Sequence, residues 1–191
     1  MDKILFVNAC PRKASRTLAL ATAVLDKLEG EREEVRLFDA PPALLDEAGL
    51  AAREDAVGRG ALCAPCLAPA RLFAEADVIV IAAPYWDLMF PAALKLYLES
   101  VTVAGITFRY SPAGRPEGLC RARALYYVTT AGGFIGQNDF GFAYVQALAG
   151  GMLGIPDVRR FAAEGLDIDG ADAEGILREA KASILLDGAP R

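Results

Sequence analysis

Residues 3–28 of this chain read KILFVNACPRKASRTLALATAVLDKL and predict a strand, a short turn and a helix. The run ILFV at residues 4–7 is continuously apolar, as expected of a central parallel strand that is covered on both faces. Polar residues and a proline then end the strand. Beyond Ser15, apolar side chains recur every three or four residues, which is typical of a helix packed on a sheet. The stretch therefore predicts the first strand–helix unit of an α/β protein.

The turn between this strand and helix has the composition of a phosphate site. Ser15 and Thr17 stand at the helix start, where free backbone N–H groups and the helix dipole attract an anion. Arg12, Lys13 and Arg16 add positive charge. The alternative is that Ser15 or Thr17 is only an N-cap, which contributes about 1 kcal/mol and indicates no ligand. Neither GxxxxGK[ST] nor GxGxxG is present, so no NTP or dinucleotide site is indicated.

The totals of the chain favour one globular domain over residues 1–191. Of these 191 residues 54% are hydrophobic, which is enough for a full core. A formal net charge of -5 argues against binding to nucleic acid or to an anionic membrane surface. No apolar run is long enough for a signal peptide or a membrane span. We therefore expect a cytoplasmic protein.

Cysteine and histidine usage limits the possible chemistry. The four cysteines, Cys10, Cys63, Cys66 and Cys120, are too scattered for a disulfide framework and are expected to be reduced thiols. Cys63 and Cys66 form a CxxC, which is either a redox pair or two ordinary thiols; with no second CxxC and no histidine, we expect no metal site. The absence of histidine excludes Ser-His-Asp and Cys-His catalysis. Chemistry at neutral pH is therefore expected to belong to a cofactor.

Strand and helix patterns alternate along the rest of the chain, which predicts a parallel sheet with helices on both faces. Residues 29–34 are expected to be a charged break, and residues 104–118 a long turn-rich loop. Further strands are predicted at residues 35–38, 77–83, 124–130 and 158–162. Further helices are predicted at residues 44–54, 70–76, 92–101, 142–152 and 172–186.

Three strand ends carry residues suited to a ligand. Because ligands bind at the carboxyl ends of central strands in open parallel sheets, the loops at residues 10–17 and 84–90 are expected to lie side by side. Tyr85 and Trp86 are placed to flank a flat ring, although ordinary packing is the alternative. The AGG at residues 131–133 follows a third strand and allows close backbone approach to a ligand. The aromatics that follow are either a wall of the site or core; they are Phe134, Phe140, Phe142 and Tyr144.

Three motifs in this order resemble the FMN-dependent NAD(P)H azoreductase and quinone reductase family of the flavodoxin-like fold. They are CPRKASRT at residues 10–17, PYWDLMFPAALKLYLESVTVAGITFRYSPAGRPEGL at residues 84–119 and ALYYVTTAGG at residues 124–133. The resemblance spans most of the chain. It implies a three-layer α/β sandwich whose five-stranded parallel sheet has the order 2-1-3-4-5, with helices on both faces.

The resemblance also implies a cofactor, substrates and a set of site residues. FMN would take hydride from NADH or NADPH and pass two electrons to a quinone, azo or nitroaromatic compound by a ping-pong scheme, with no catalytic side chain and no metal. The family is typically a homodimer. The implied cofactor-binding residues are Cys10, Ser15, Arg16, Thr17, Pro84, Tyr85, Trp86, Asp87, Leu88, Thr130, Ala131, Gly132 and Gly133. Substrate contacts are expected from Tyr85, Trp86 and Phe134, and from Phe108 or Tyr110 across the dimer.

Two residues depart from the family pattern. Cys10 stands where serine is frequent, and a thiol is a poorer hydrogen-bond donor than a hydroxyl. Asp87 stands where asparagine is common, and a carboxylate there would oppose negative charge on a reduced flavin. Two other functions stay open at this point: a flavodoxin-type electron carrier and a non-catalytic flavodoxin-like module.

Overall fold

A computed structural model describes residues 1–186 and shows a five-stranded parallel sheet between two layers of helices. The sheet has the order β2-β1-β3-β6-β7, and β4 and β5 form a separate hairpin. The predicted order 2-1-3-4-5 is therefore confirmed. The strands are β1 Asp2–Asn8, β2 Gly30–Arg36, β3 Val78–Ala82, β4 Phe108–Tyr110, β5 Pro116–Gly118, β6 Ala124–Thr130 and β7 Asp157–Ala163. The helices are α1 Arg16–Leu25, α2 Glu47–Gly58, α3 Ala68–Glu75, α4 Ala92–Val101, α5 Phe140–Gly151 and α6 Ala173–Ala182, with one 3₁₀ turn at Pro65–Leu67.

Side chains of β1 alternate between two apolar cores, one on each face of the sheet. Leu5 and Val7 belong to the core that also holds residues of α3, α4 and α5. Ile4 and Phe6 belong to the core that holds residues of α1 and α6. Because both faces of the central strands are covered, a continuous apolar run was the correct signal for β1, β3 and β6.

Strand β2 differs from the sequence expectation. Residues 29–34 were predicted as a charged break and residues 35–38 as a strand, but β2 pairs with β1 from Gly30 to Arg36. The prediction was wrong because β2 is an edge strand, where exposed charged side chains are tolerated. A search for apolar residues therefore finds only the end of such a strand.

The segment at residues 104–118, predicted as a loop, contains the β4–β5 hairpin. Its three-residue strands are too short to carry a periodic pattern. Gly118 seats the hairpin against the end of α5, since an added Cβ would lie 2.1 Å from the Leu153 carbonyl carbon. Helix α6 is also shorter than predicted, because it ends at Ala182.

Candidate functional site

The carboxyl ends of β1, β3 and β6 enclose a cleft of about 240 Å³. The first two loops do lie side by side, as the strand-end rule predicted. The third wall comes from the residues that follow β6. The lining residues are Pro11, Arg12, Ala14, Ser15, Arg16, Thr17, Pro84, Tyr85, Trp86, Thr130, Ala131, Gly132 and Asp167.

Helix α1 begins at this cleft, and Ser15 is its N-cap. The Ser15 backbone is extended, and its hydroxyl accepts a 3.3 Å hydrogen bond from the Leu18 N–H. Ser15 is therefore an N-cap, as the alternative interpretation predicted, and its hydroxyl oxygen is the hydrogen-bond acceptor. The hydroxyl hydrogen and the first N–H groups of the helix have no intrahelical use, so they are available to an anion.

Two cations of the same loop stand in different surroundings. The Arg16 guanidinium donates to the Leu166 carbonyl at 3.0 Å and to the Asp167 carboxylate at 2.7 Å. Arg12 also lines the cleft and makes no ion pair with any residue of the range 1–186. The loop thus presents one neutralised and one unpaired guanidinium.

Thr17 connects helix α1 to β6. Its hydroxyl lies 2.5 Å from the Thr130 hydroxyl, and both residues are buried. One hydroxyl donates to the other, so one of the two hydroxyl hydrogens is not used in this contact. The contribution of Thr17 to a phosphate site stays a prediction.

Cys10 lies beneath the loop and not in the cleft wall. Its thiol donates to the Ala82 carbonyl at 3.8 Å, and its N–H donates to the Asn8 side-chain oxygen at 3.0 Å. Burial raises the pKa of Cys10, an effect that the Ser15 hydroxyl partly offsets. The thiol is therefore neutral at neutral pH and adds no negative charge beside an anion.

The loop after β3 forms a tight turn that is fixed to the neighbouring wall. Trp86 and Met89 exchange two backbone hydrogen bonds, of 3.1 and 2.8 Å. Asp87 and Leu88 between them have φ values of 49° and 68°, the pattern of a type I′ turn. Left-handed leucine is strained, and such strain is retained mainly at functional sites. Tyr85 ties this loop to the segment after β6, because its hydroxyl donates to the Asn138 carbonyl at 2.9 Å.

The loop that follows β7 holds the wall after β6 in place through backbone hydrogen bonds. The N–H groups of Leu166 and Asp167 donate to the carbonyls of Ala131 and Gly132, at 3.2 and 2.9 Å. A Cβ added to Gly132 would lie 2.4 Å from an Asp167 carboxylate oxygen. Gly132 was predicted to permit close approach of a ligand, and the group that approaches it within the chain is the Asp167 carboxylate.

Comparison with known proteins agrees with this architecture. The family model described as a flavodoxin-like fold matches residues 2–186. This chain belongs to that flavodoxin-like family. An FMN-dependent NADH:quinone oxidoreductase 2 of Clostridium acetobutylicum is 34% identical over 93% of this chain and 94% of its own length. An FMN-dependent NADH:quinone oxidoreductase of Clostridium beijerinckii is 32% identical, with 94% of each chain covered.

Solved structures show the same flavodoxin-like fold at lower identity. An azoreductase from Bacillus anthracis superposes with a TM-score of 0.81 at 24% identity, over 95% of this chain and 96% of that one. An FMN-dependent NADH-azoreductase from the same species, solved in complex with FMN, gives 0.79 at 21% identity, with 95% of each chain covered. The fold that the sequence motifs implied is therefore confirmed.

Several of the predicted site residues lie outside the cleft wall. Cys10, Asp87, Leu88, Gly133 and Phe134 do not line it, and their roles in this flavodoxin-like protein stay predictions. Phe134 is 77% exposed. An added Cβ on Gly165 would lie 3.3 Å from the Phe134 ring, so the two residues are neighbours.

Phe108 and Tyr110 are also outside the cleft of their own chain. Phe108 is only 6% exposed and packs edge-on against Tyr110 at 5.3 Å between ring centroids, whereas Tyr110 is 63% exposed. Of the two, only Tyr110 is therefore free to meet a ligand or a second subunit. Phe142 and Tyr144, for which core was the alternative, pack on Tyr127 and Phe90 respectively.

Sequence reasoning missed Asp167 as a cleft residue. It follows β7, so the same strand-end rule applied to the fifth strand would have found it. Cys63 and Cys66 are exposed free thiols away from the cleft. Within residues 1–186, no group of three or more Cys, Asp and Glu side chains is arranged to hold a metal ion.

Proposed function

We propose that this protein is an FMN-dependent NAD(P)H oxidoreductase that reduces quinones, azo compounds or nitroaromatics. The observation that supports this proposal is the composition of the cleft. It joins a helix N-terminus with hydroxyl and guanidinium groups to a strand-end wall with an aromatic rim. Two full-length relatives named FMN-dependent NADH:quinone oxidoreductases support the assignment.

The phosphate of FMN would be held at the start of α1. Ser15 offers its hydroxyl hydrogen, the first turn offers backbone N–H groups, and Arg12 offers a positive charge that is not paired within residues 1–186. The neutral Cys10 thiol beneath this loop does not repel a phosphate dianion. The residues present therefore fit a phosphate monoester.

The flavin ring would be held between Trp86 and the wall after β6. Tyr85, Trp86 and the backbone of residues 130–132 line this part of the cleft. The type I′ turn at Asp87 and Leu88 fixes the loop, so its backbone groups are pre-organised toward a planar ring. The aromatic faces of Tyr85 and Trp86 would shield one part of the ring from water.

When bound, FMN supplies the hydride and two-electron chemistry, which the protein side chains lack. The side chains of Tyr85 and Trp86 would orient the nicotinamide and the acceptor and would exclude water from them. We propose that nucleotide and acceptor occupy the cleft beside Tyr85 and Trp86 in turn, in a ping-pong order. No titratable side chain of the cleft is assigned a proton-transfer role.

We further propose a homodimer in the cytoplasm. Large apolar side chains stay exposed around the cleft and on the β4–β5 hairpin, and such surfaces usually meet another protein. They are Trp86, Leu88, Tyr110, Phe134 and Phe140. All four cysteines are free thiols, which fits a reducing compartment. No helix within residues 1–186 is long and apolar enough to span a bilayer.

An anaerobic visible spectrum tests the proposal. Purified protein is mixed with FMN, desalted, and titrated first with NADH, then in a separate sample with NADPH. Retained colour that bleaches with one nucleotide and returns on adding a benzoquinone supports the reductase and gives its donor preference. Retained colour without bleaching would instead support an electron carrier. Protein that retains no flavin would favour the non-catalytic module.

A further inference from the structure

Arg16 connects two walls of the cleft that come from distant parts of the chain. It belongs to the first turn of α1, and its guanidinium bonds to the Leu166 carbonyl and the Asp167 carboxylate in the loop after β7. Leu166 is buried, whereas Asp167 is exposed and lines the cleft. We name the two contacts of Arg16 together the Arg16 bridge.

The loop that the Arg16 bridge holds is itself the support of the wall after β6. The N–H groups of Gly165, Leu166 and Asp167 donate to the carbonyls of residues 133, 131 and 132, at 2.9, 3.2 and 2.9 Å. Displacement of residues 165–167 would therefore displace residues 131–133. The Arg16 bridge therefore links this wall to the helix start through residues 165–167.

We propose that Arg16 is a positioning residue for the flavin, which acts through residues 165–167 and does not ligate the phosphate. Two of its nitrogen atoms already donate to the loop, and Asp167 neutralises its charge. Arg12, which lines the same cleft without an ion pair in residues 1–186, is the cation left for the phosphate. This inference rests on the proposed FMN site and replaces the phosphate role that the family resemblance gave to Arg16.

Comparing FMN with riboflavin separates positioning from phosphate binding. Riboflavin lacks the phosphate, so a phosphate ligand affects only FMN, whereas a positioning residue affects both. Dissociation constants of both flavins are measured by fluorescence quenching for the wild type, Arg16→Ala and Arg16→Lys. We expect both constants to rise in Arg16→Ala, that of riboflavin by about tenfold and that of FMN by at least as much, because the Asp167 carboxylate that Arg16 neutralised also lines the cleft. Arg16→Lys should behave similarly, because one ammonium cannot replace the planar fork that bonds two acceptors.

Arg12→Ala is the matched control on the same loop. It should weaken FMN binding and leave riboflavin binding unchanged. Two results would show that Arg16 is a phosphate ligand and would overturn the proposal. One is that Arg16→Ala weakens FMN binding and leaves riboflavin binding unchanged. The other is that Arg16→Lys binds FMN like the wild type while Arg16→Ala does not.

Amide hydrogen exchange of the flavin-free protein gives a second readout. In Arg16→Ala the N–H groups of residues 165–167 should exchange about tenfold faster than in the wild type, while Arg12→Ala leaves them unchanged. Unchanged exchange in Arg16→Ala overturns the positioning role. Wild-type protein that binds neither flavin would instead refute the proposed function, and the exchange experiment would still decide whether Arg16 holds the loop.

Discussion

The hydroxyl of Thr17 in the first turn of α1 lies 2.5 Å from the hydroxyl of Thr130 at the end of β6. Residues 113 positions apart thus share one buried hydrogen bond, in which one hydroxyl donates and the other accepts. This contact fixes the start of α1, where we place the phosphate, against the strand whose end carries the flavin wall.

Replacing one of these threonines by valine should leave the other hydroxyl buried and unpaired. We expect Thr17→Val and Thr130→Val each to lower the free energy of unfolding by about 1–3 kcal/mol. The double variant should lose less than the sum, because it leaves no unpaired hydroxyl at this contact. Urea unfolding of the four proteins measures this coupling, and strict additivity would show that the contact contributes nothing.

Gly132 and Gly133 should respond differently to alanine. A Cβ on Gly132 would lie 2.4 Å from the Asp167 carboxylate, whereas a Cβ on Gly133 meets no atom within 4 Å. We expect Gly132→Ala to cost about 1–3 kcal/mol of unfolding free energy and Gly133→Ala to change it by less than about 0.5 kcal/mol. Thermal unfolding measures both. Adding Asp167→Ala to Gly132→Ala should recover part of the loss, and no recovery would place the clash elsewhere.

Leu88 should be replaceable by glycine with a gain in stability. Its φ of 68° is strained for leucine, and its side chain is 47% exposed, so little burial is lost. We expect Leu88→Gly to raise the free energy of unfolding by about 0.5 kcal/mol. Leu50 is the matched control, because it is 45% exposed but lies inside helix α2. Leu50→Gly should cost about 1 kcal/mol. Equal losses in both variants would contradict the strain argument.

Trp86 should control how acceptors are used. It lines the cleft and is 44% exposed, so its ring is available to stack on a flat substrate. We expect Trp86→Ala to lower kcat/KM by about two- to tenfold, with a different factor for a small quinone and a large azo dye. Phe38→Ala is the control, since Phe38 is similarly exposed but does not line the cleft. Unchanged kinetics of Trp86→Ala with several acceptors would remove Trp86 from the site.

The fold was predictable because its central strands are buried on both faces. The apolar runs of β1, β3 and β6 reflect that burial directly. The order of the strands in the sheet came from the family resemblance, and the structure confirms it. The charged edge strand β2 and the three-residue strands of the hairpin carry no such signal. Their pairing depends on neighbours that a local pattern does not contain.

The lining of the cleft was predictable for the loops that follow β1, β3 and β6, whereas the side-chain contacts between loops were not. Ser15, Trp86 and Gly132 were found because loops after central strands converge. The Asp167 contact with Arg16 joins residues 151 positions apart, and no local pattern marks it. The buried state of Phe108 likewise depends on how the hairpin docks, which the loop prediction did not include.

Cys120 should make the protein less stable at alkaline pH. Burial raises the pKa of its thiol from 9.0 to about 12 in the folded protein. The unfolded chain therefore loses this proton from near pH 9 upward while the folded chain keeps it, so the free energy of unfolding falls as the pH rises between 9 and 12. The slope for one such thiol is at most about 1.4 kcal/mol per pH unit.

We expect the loss in Tm between pH 8 and 10.5 to be smaller in Cys120→Ala than in the wild type. Cys63→Ala, which removes an exposed thiol, is the control and should keep the wild-type slope. Identical slopes in all three proteins would show that Cys120 ionises as freely in the folded state as in the unfolded chain.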